Sequence, residues 1–260
     1  MAIDPNAIVD SSADLHASVE VGPFAIIGPG CVLGEGCRIG PYTRLVENVR
    51  MGRNNRVSSH SALGVEPQDL KYRGEETFLE IGDDNDIREF VTISRGTRTP
   101  IAPAGVTRLG DRNVIMAYAH IAHDCRLHDG IIMANAAMIA GHIEIFDEAI
   151  LGGLAAVHQF VRIGTHAFVG GGSMVVQDVP PFHLANGNRA RLFGLNMVGL
   201  TRKGFDKTRI AALKRASRAL FARTRALDEA IGEIRASGEP GADVALLLEF
   251  LRHSKRGVCR

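Results

Sequence analysis

The sequence predicts a mainly β chain: a parallel β-helix of hexapeptide repeats followed by a C-terminal α-helical domain. Three observations predict it. Aliphatic residues recur at every sixth position through most of the first 175 residues. Glycine is abundant, at 29 residues. The period then stops at consecutive prolines, and apolar residues return at helical spacing.

The repeat comes in three runs. The first passes from Val9 through Val21, Ile27, Leu33 and Ile39 to Leu63; the second is Ile81, Ile87 and Ile93; the third passes from Leu109 through Ile121, Leu127, Ile139 and Val157 to Val175. A six-residue period matches neither an α-helix nor simple strand alternation. It fits a coil of three hexapeptides, each a short strand and a turn, with the aliphatic side chain pointing inward. Successive coils then lie about 4.8 Å apart. Glycine often follows the aliphatic residue, as in Val21-Gly22, Ile27-Gly28 and Ile163-Gly164. It suits turns that stack closely or need positive φ.

Two interruptions, 64–80 and 94–108, are expected as loops ejected from the solenoid, often onto the binding face. The first holds QDLKYRGE, residues 68–75. The solenoid domain is assigned to 1–188 and the helical domain to 189–260. In QDVPPF the consecutive prolines are a poor continuation for a sheet. Asp206 is a candidate N-cap before Ile210, Leu213, Leu220 and Phe221. Leu227, Ala230, Ile231 and Ile234 form a second apolar face, and Gly238-Glu239-Pro240-Gly241 breaks it. Val244, Leu247, Leu248 and Leu251 form a third. These helices are expected to cover one end of the solenoid or a neighbouring subunit.

Composition narrows the class. At 45% apolar and 23% charged, the chain reads as globular. Aromatics at 5%, with no Trp, are too few for a packed sandwich or barrel core. The four cysteines, Cys31, Cys37, Cys125 and Cys259, form no CxxC pair, so neither a disulfide scaffold nor a thiolate zinc site is expected. A reduced, cytoplasmic compartment is the simplest reading. The segment MAIDPNAIVD has no apolar core of a secretory signal, and no apolar run is long enough to span a bilayer. Neither stable membrane insertion nor a nucleic-acid partner is expected. Residues 189–260 hold 16 Lys+Arg against 7 Asp+Glu, a net +9; residues 1–188 hold 14 against 22, a net −8. A basic end on an acidic body points to an anionic partner.

The candidate chemistry lies in AHIAHDCRLHDG, residues 119–130. His123 follows the inward Ile121 by two. One coil further is Gly141, and two coils further is Gln159. His142 follows Gly141, His158 precedes Gln159, and His120 lies three before His123. Stacking should bring them within roughly 10 Å of one another. Two chemistries compete. A zinc site needs three imidazoles at about 2.1 Å from one ion. A general-base site needs one oriented histidine and an oxyanion donor. His123-Asp124 supplies a base with an adjacent carboxylate, and Gly141 supplies a backbone N–H with no side chain in the way. That combination favours acyl transfer. A metal-dependent hydratase, its zinc held by His120, His123 or His142, stands as the alternative. Cys125 reads as a small buried side chain, and His128 as a surface residue.

Six motifs occur together and in order: DLKY (69–72), IAHDC (121–125), AGH (140–142), AVHQF (156–160), QDVPP (177–181) and GNRA…FGLN (187–196). On these the chain resembles the bacterial UDP-N-acetylglucosamine O-acyltransferases of lipid A synthesis, over essentially its whole length. The resemblance implies a left-handed β-helix, a homotrimer with active sites between adjacent subunits, and acyl carrier protein and a UDP-sugar as substrates. It implies no metal and no cofactor beyond the carrier's phosphopantetheine thioester. His123 matches the family's base, Asp124 its orienting carboxylate and Gly141 its oxyanion donor. Asp69 and Lys71 match contacts to the acyl hydroxyl and the donor or sugar nucleotide. His120, His142, His158 and Gln159 match the lining of the sugar and phosphate site, and Asn196 and Arg202 match nucleotide contacts. Gly171 matches the floor of the acyl groove, where a small residue implies a longer chain than a bulky one permits. The basic residues Arg189, Arg191, Arg202, Lys203, Lys207 and Arg209 are candidates to steer the acidic carrier protein.

The chain departs from the pattern in places. It has TISRGT where members often have TIHRGT, so Ser94 replaces a histidine. The loop RTPIAPAG (98–105) looks longer than usual. Tyr118, Val198 and Lys203 stand where a small polar residue, an acid and an arginine are expected. These positions leave open whether the acceptor carries a 3-hydroxyl or a 3-amino group. The related N-acyltransferases carry an extra N-terminal domain before the solenoid, whereas here the repeat starts at Val9.

Overall fold

A computed structural model describes residues 2–222, 226–236, 238 and 241–260. The hexapeptides wind into a left-handed, three-sided prism. Its faces are parallel sheets of eleven, nine and eight strands, and the eleven-stranded sheet ends in one antiparallel pairing, His183–Asn186 with Arg191–Leu195. Most strands are only two residues long. Register is one coil per step: Ile121 pairs with Ile139, and Ile139 with Val157. The interior is the aliphatic series itself. Val9 and Leu15, at the open end, are partly covered, and the rest of that series is buried.

Two turn positions carry the coil. The residue just after each inward aliphatic lies against the coil above. A Cβ on Gly28 would sit 1.7 Å from the Val46 carbonyl oxygen, so this glycine is required by close approach and not by φ. The residue three after the aliphatic takes the left-handed conformation. Phe24, Tyr42, Phe90, Tyr118, Asp124, His142 and Phe160 all have φ between 57° and 65°. That slot costs L-residues some strain, and here it is imposed at most corners by the stacked coils.

The chain leaves the prism at 66–77 and 95–105, between the flanking strands Ala62–Val65, Phe78–Ile81, Thr92–Ser94 and Val106–Leu109. The prism faces differ outwardly. The eight-stranded face presents Arg50, Glu80, Arg108, Glu144 and Arg162, with Glu80 2.9 Å from Arg108 and Glu144 3.2 Å from Arg162. The nine-stranded face presents Ile8, Ile26, Arg44, Ala62, Thr92, His120, Met138, Ala156 and Met174, with one formal charge.

Four helices follow: α1 (Met197–Arg202), α2 (Lys207–Leu220), α3 (Leu227–Ala236) and α4 (Ala242–Arg252). Asp206 caps α2, accepting from the Arg209 N–H at 2.8 Å. Leu213, Leu220, Ala230, Ile231, Val244, Leu247, Leu248 and Leu251 form one cluster that also takes in Phe182. Helix α1 was not expected; six residues are too few for periodicity to reveal. Glu239 and Pro240, in the expected break before α4, lie outside the described residues. The helices cap the end of the prism. Arg162 Nη1 donates to the Phe250 carbonyl at 3.3 Å, and Ser254 Oγ donates to Asp178 at 2.7 Å. Among the described residues no helix is long and apolar enough to cross a membrane.

Candidate active site

The corner between the nine- and eight-stranded faces collects the central residues. His123 Nδ1 lies 2.8 Å from Asp124 Oδ2. Its other nitrogen is left facing outward over Gly141: a Cβ there would lie 2.8 Å from His123 Nε2. Asp124 is fixed independently. Its side chain is 3% exposed. Oδ1 accepts from the Thr97 N–H at 2.9 Å, Oδ2 accepts from Thr97 Oγ1 at 2.6 Å, and its own N–H donates to Thr107 Oγ1 at 2.8 Å. A carboxylate so held favours a proton on Nδ1, which leaves Nε2 as the acceptor.

Gly141 N–H makes no hydrogen bond among the described residues. The fold does not need one at this slot, since Pro23, Pro29 and Pro41 occupy the equivalent position two after an inward aliphatic. His142 completes the cluster, 3.8 Å from Asp124 Oδ2 and edge-on to His123 with centroids 5.2 Å apart. It stacks on Phe160 at 4.7 Å. Burial holds the His142 imidazole below its usual range, with Asp124 opposing that shift. Burial also lowers His120, whose Nδ1 is 2.7 Å from Thr92 Oγ1 on the nine-stranded face. A cleft of about 620 Å³ runs from this corner onto the eight-stranded face, lined by Ile101–Gly105, Asp124, His142, Phe160, Arg126 and Glu144.

His123, Asp124 and His142 present ligand atoms within 4.8 Å of one another, a spacing a cation could use. His120 is not in that group. Asp124 already accepts from Thr97 and His123, so binding an ion there would have to displace existing hydrogen bonds. The arrangement fits an oriented base beside a free N–H more directly.

Of the other expected site residues, only those of the 66–77 loop approach this corner within one chain. Gly171 lies at the corner between the eleven- and nine-stranded faces, where a Cβ would meet Gly153 O at 3.2 Å. Asn196 lies at the third corner. Its Oδ1 caps α1 from the Gly199 N–H at 3.1 Å, and its Nδ2 donates to His166 O at 3.1 Å. Exposed Arg202 ends α1 nearby, and Lys203 pairs with Glu148. His158 and Gln159 are exposed. His158 shares a separate cleft with Arg189, Arg191, Arg256 and Arg260. Asp69 and Lys71 sit on the 66–77 loop, joined by Lys71 N–H to Asp69 Oδ1 at 2.9 Å. The Asp69 charge reaches His142, favouring its protonated form.

Several residues escaped the sequence reading. Thr97 and Thr107 lie within the second interruption, 94–108, where the six-residue register is lost. Phe160 lies within AVHQF, and its stacking follows from the register of His142 one coil earlier. Cys125 is buried with its thiol pushed up to about 12 by burial, and Sγ donates to Ala140 O at 3.1 Å. His128 is half-buried and not a free surface residue: it stacks on Phe146 at 4.9 Å and lies 3.3 Å from Glu144.

A left-handed β-helix with an oriented histidine at a corner and a vacant glycine N–H beside it defines a hexapeptide-repeat acyltransferase. Comparison with known proteins narrows the class. A family model described as UDP-N-acetylglucosamine O-acyltransferase, domain 2, matches residues 178–259. The acyl-[acyl-carrier-protein]–UDP-N-acetylglucosamine O-acyltransferase of Alkalilimnicola ehrlichii is 52% identical over 258 residues, covering 99% of each chain. That of Syntrophobacter fumaroxidans is 49% identical over the full length of both. LpxA from Acinetobacter baumannii superposes with a TM-score of 0.96 at 38% identity, and the enzyme from Moraxella catarrhalis with 0.96 at 41%; each covers 100% of both chains. The chain belongs to the UDP-N-acetylglucosamine O-acyltransferase family.

Proposed function

We propose that the chain transfers an (R)-3-hydroxyacyl group from acyl carrier protein to the 3-hydroxyl of UDP-N-acetylglucosamine, the first step of lipid A biosynthesis, with His123 as general base. The full-length relatives named for this donor and acceptor support the reaction. The His123–Asp124 pair beside the unbonded Gly141 N–H carries the mechanism.

His123 Nε2 takes the proton of the sugar hydroxyl as its oxygen attacks the thioester carbonyl. Asp124 steadies the imidazolium that forms. The Gly141 N–H donates to the carbonyl oxygen as it becomes an oxyanion, an interaction of about 2.7–4 kcal/mol in comparable sites. The tetrahedral centre then collapses, the C–S bond breaks, and the carrier thiolate takes the proton back from Nε2. These steps call on no metal and no cofactor beyond the carrier's own thioester arm.

A homotrimer fits the arrangement. Gly171, Asn196 and the catalytic histidine lie at three different corners, so only neighbouring copies can bring such corners together. The nine-stranded face, with Met138 51% and Met174 43% exposed, is a suitable seam. Arg189, Arg191, Arg256 and Arg260 around His158 offer the acidic carrier a basic landing site, whereas Arg209 is already committed to Asp243 at 2.7 and 2.8 Å. A cytoplasmic location suits these substrates and the thiols.

The test is His123→Ala. Turnover should fall by about 10²-fold or more with the assembly unchanged in size, the range a positioned base contributes. Near-normal turnover would remove His123 from the role.

A further inference from the structure

The 66–77 loop brings Asp69 and Lys71 to the catalytic corner, yet its tip packs on little: Leu70 is 94% exposed. The loop is held from beneath by Arg95, which is 2% exposed. Arg95 Nη1 donates to Gly64 O at 2.8 Å, where the chain leaves the prism, and Nη2 donates to Tyr72 Oη at 3.1 Å in the loop itself. Tyr72 Oη donates onward to Glu75 O at 2.9 Å. The Arg95 side chain also pairs with Glu47 and lies 3.8 Å from Glu66. The backbone does the same work: Arg95 N–H donates to Val65 O at 3.0 Å, and Gly96 N–H to Phe78 O at 3.1 Å, so the two ends of the loop are tied to one strip. Two residues further, Thr97 grips both oxygens of Asp124.

A plain packing role explains this poorly. Arg95 Nε is buried without a partner, a cost that an apolar residue in the same space would avoid. The guanidinium spends its Nη donors on the loop, on its entry and on Glu47. We propose that Arg95 is a positioning residue: it locks the 66–77 loop over the catalytic corner, from the same strip whose Thr97 locks Asp124, and so sets how well Asp69 and Lys71 meet substrate without touching it. The proposal rests on the reading of Asp69 and Lys71 as substrate contacts.

The full-length enzyme and its Arg95→Met, Arg95→Lys and Tyr72→Phe variants would be compared by steady-state kinetics and by amide hydrogen exchange. Arg95→Met and Tyr72→Phe should raise KM about tenfold with kcat within about twofold, the scale of one charge-assisted hydrogen bond acting on binding alone. Arg95→Lys should restore part of the loss. Amides of 68–75 should exchange faster in Arg95→Met and Tyr72→Phe while strands His120–Ile121 and Met138–Ile139 keep their protection. Unchanged exchange in 68–75, or a fall in kcat at constant KM, would overturn the proposal. In an Asp69→Ala, Lys71→Ala background, Arg95→Met should add nothing further to KM; an additive increase would show that it does not act through the loop. If that double variant alone has normal KM, the substrate reading of the loop fails and the kinetic half of the proposal with it, while the exchange result still decides whether Arg95 holds the loop.

Discussion

At the corner between the eleven- and nine-stranded faces, Phe90 and Tyr118 stack with centroids 4.9 Å apart and planes at 6°. At the next corner, His142 and Phe160 stack at 4.7 Å and 8°. All four residues occupy the same left-handed turn slot. The first corner continues as a ladder through His60, Tyr42 and Phe24, each step 5.0 or 5.1 Å. The coil rise dictates this spacing, so ring stacking is a property of the fold and not of the site. The second corner differs in what stands beside the rings. There Thr97 from the second loop and Thr107 from the strand that follows it hold a buried carboxylate against His123. His60 in the ladder has no such carboxylate among the described residues. A repeated slot becomes catalytic when a loop supplies the second layer.

The sharpest way to break that contrast is Gly141→Ala. The ladder corner already carries alanine in the equivalent slot, at Ala117, two after the inward Ile115. At the catalytic corner the added Cβ would stand 2.7 Å from His123 Cε1. The ring is the end of a side chain and can swing away, so the fold should survive and the base should not stay in place. Turnover is expected to drop on the order of 10²-fold, the cost of misplacing a reacting group by about 1 Å, with little change in melting temperature. Turnover within a few-fold of the parent would show that the imidazole tolerates the displacement.

The contrast also explains what the sequence could reveal. Inward positions such as Ile121, Ile139 and Val157 are legible because each repeats six residues from its neighbours, and the His123–Gly141 stack follows from one coil of register. The helical faces are legible from their own apolar spacing, and the Asp206 cap from its residue type just ahead of the first face. The Thr97–Asp124 grip is not, because the interruption at 94–108 breaks the count that links Ile93 to Leu109. Arg95 is hidden for the same reason, and a buried arginine beside an exposed loop has no period at all. Register places His158 beside the His142 coil, but it falls two residues before the slot equivalent to His142, which Phe160 fills, and it lies in the arginine-lined cleft. The role of glycine was only partly legible: Gly28 is needed for close approach, while the positive φ falls three residues after the aliphatic and is mostly met by larger residues.

Phe160→Ala is the next test, with a moderate expected effect. Burial lowers the His142 pKa, so between the folded and unfolded values the folded state binds fewer protons than the unfolded chain. Stability therefore falls as pH drops below about 6.5, the ordinary imidazole value. Removing the Phe160 ring relieves that burial and lets His142 protonate at higher pH. A charged His142, 3.8 Å from Asp124, then competes with His123 for the carboxylate. The acid limb of kcat/KM should move to higher pH in Phe160→Ala, with the plateau reduced a few-fold. An unmoved acid limb would mean that His142 does not compete for Asp124 in the working range.

Tyr42→Ala makes the parallel truncation in the ladder, and its effect should be the smallest and of a different kind. Tyr42 stacks on Phe24 at 5.1 Å and on His60 at 5.0 Å, so two ring contacts are lost. Alanine accepts the backbone conformation at this corner, as Ala136 shows with φ of 57° against 57° for Tyr42. The loss is therefore one of ring contact and not of turn geometry. Each aromatic pair contributes about 0.5–1.5 kcal/mol beyond its buried area, and Tyr42 is 54% exposed, which places the expected destabilisation near the lower end, about 1 kcal/mol in urea unfolding. The pH profile and kcat should match the parent, because Tyr42 stacks only within the ladder, on Phe24 and His60, and the catalytic corner lies several coils away. A shifted acid limb in Tyr42→Ala would contradict the separation of the two corners, since it would make the ladder part of the chemistry and not only of the stack.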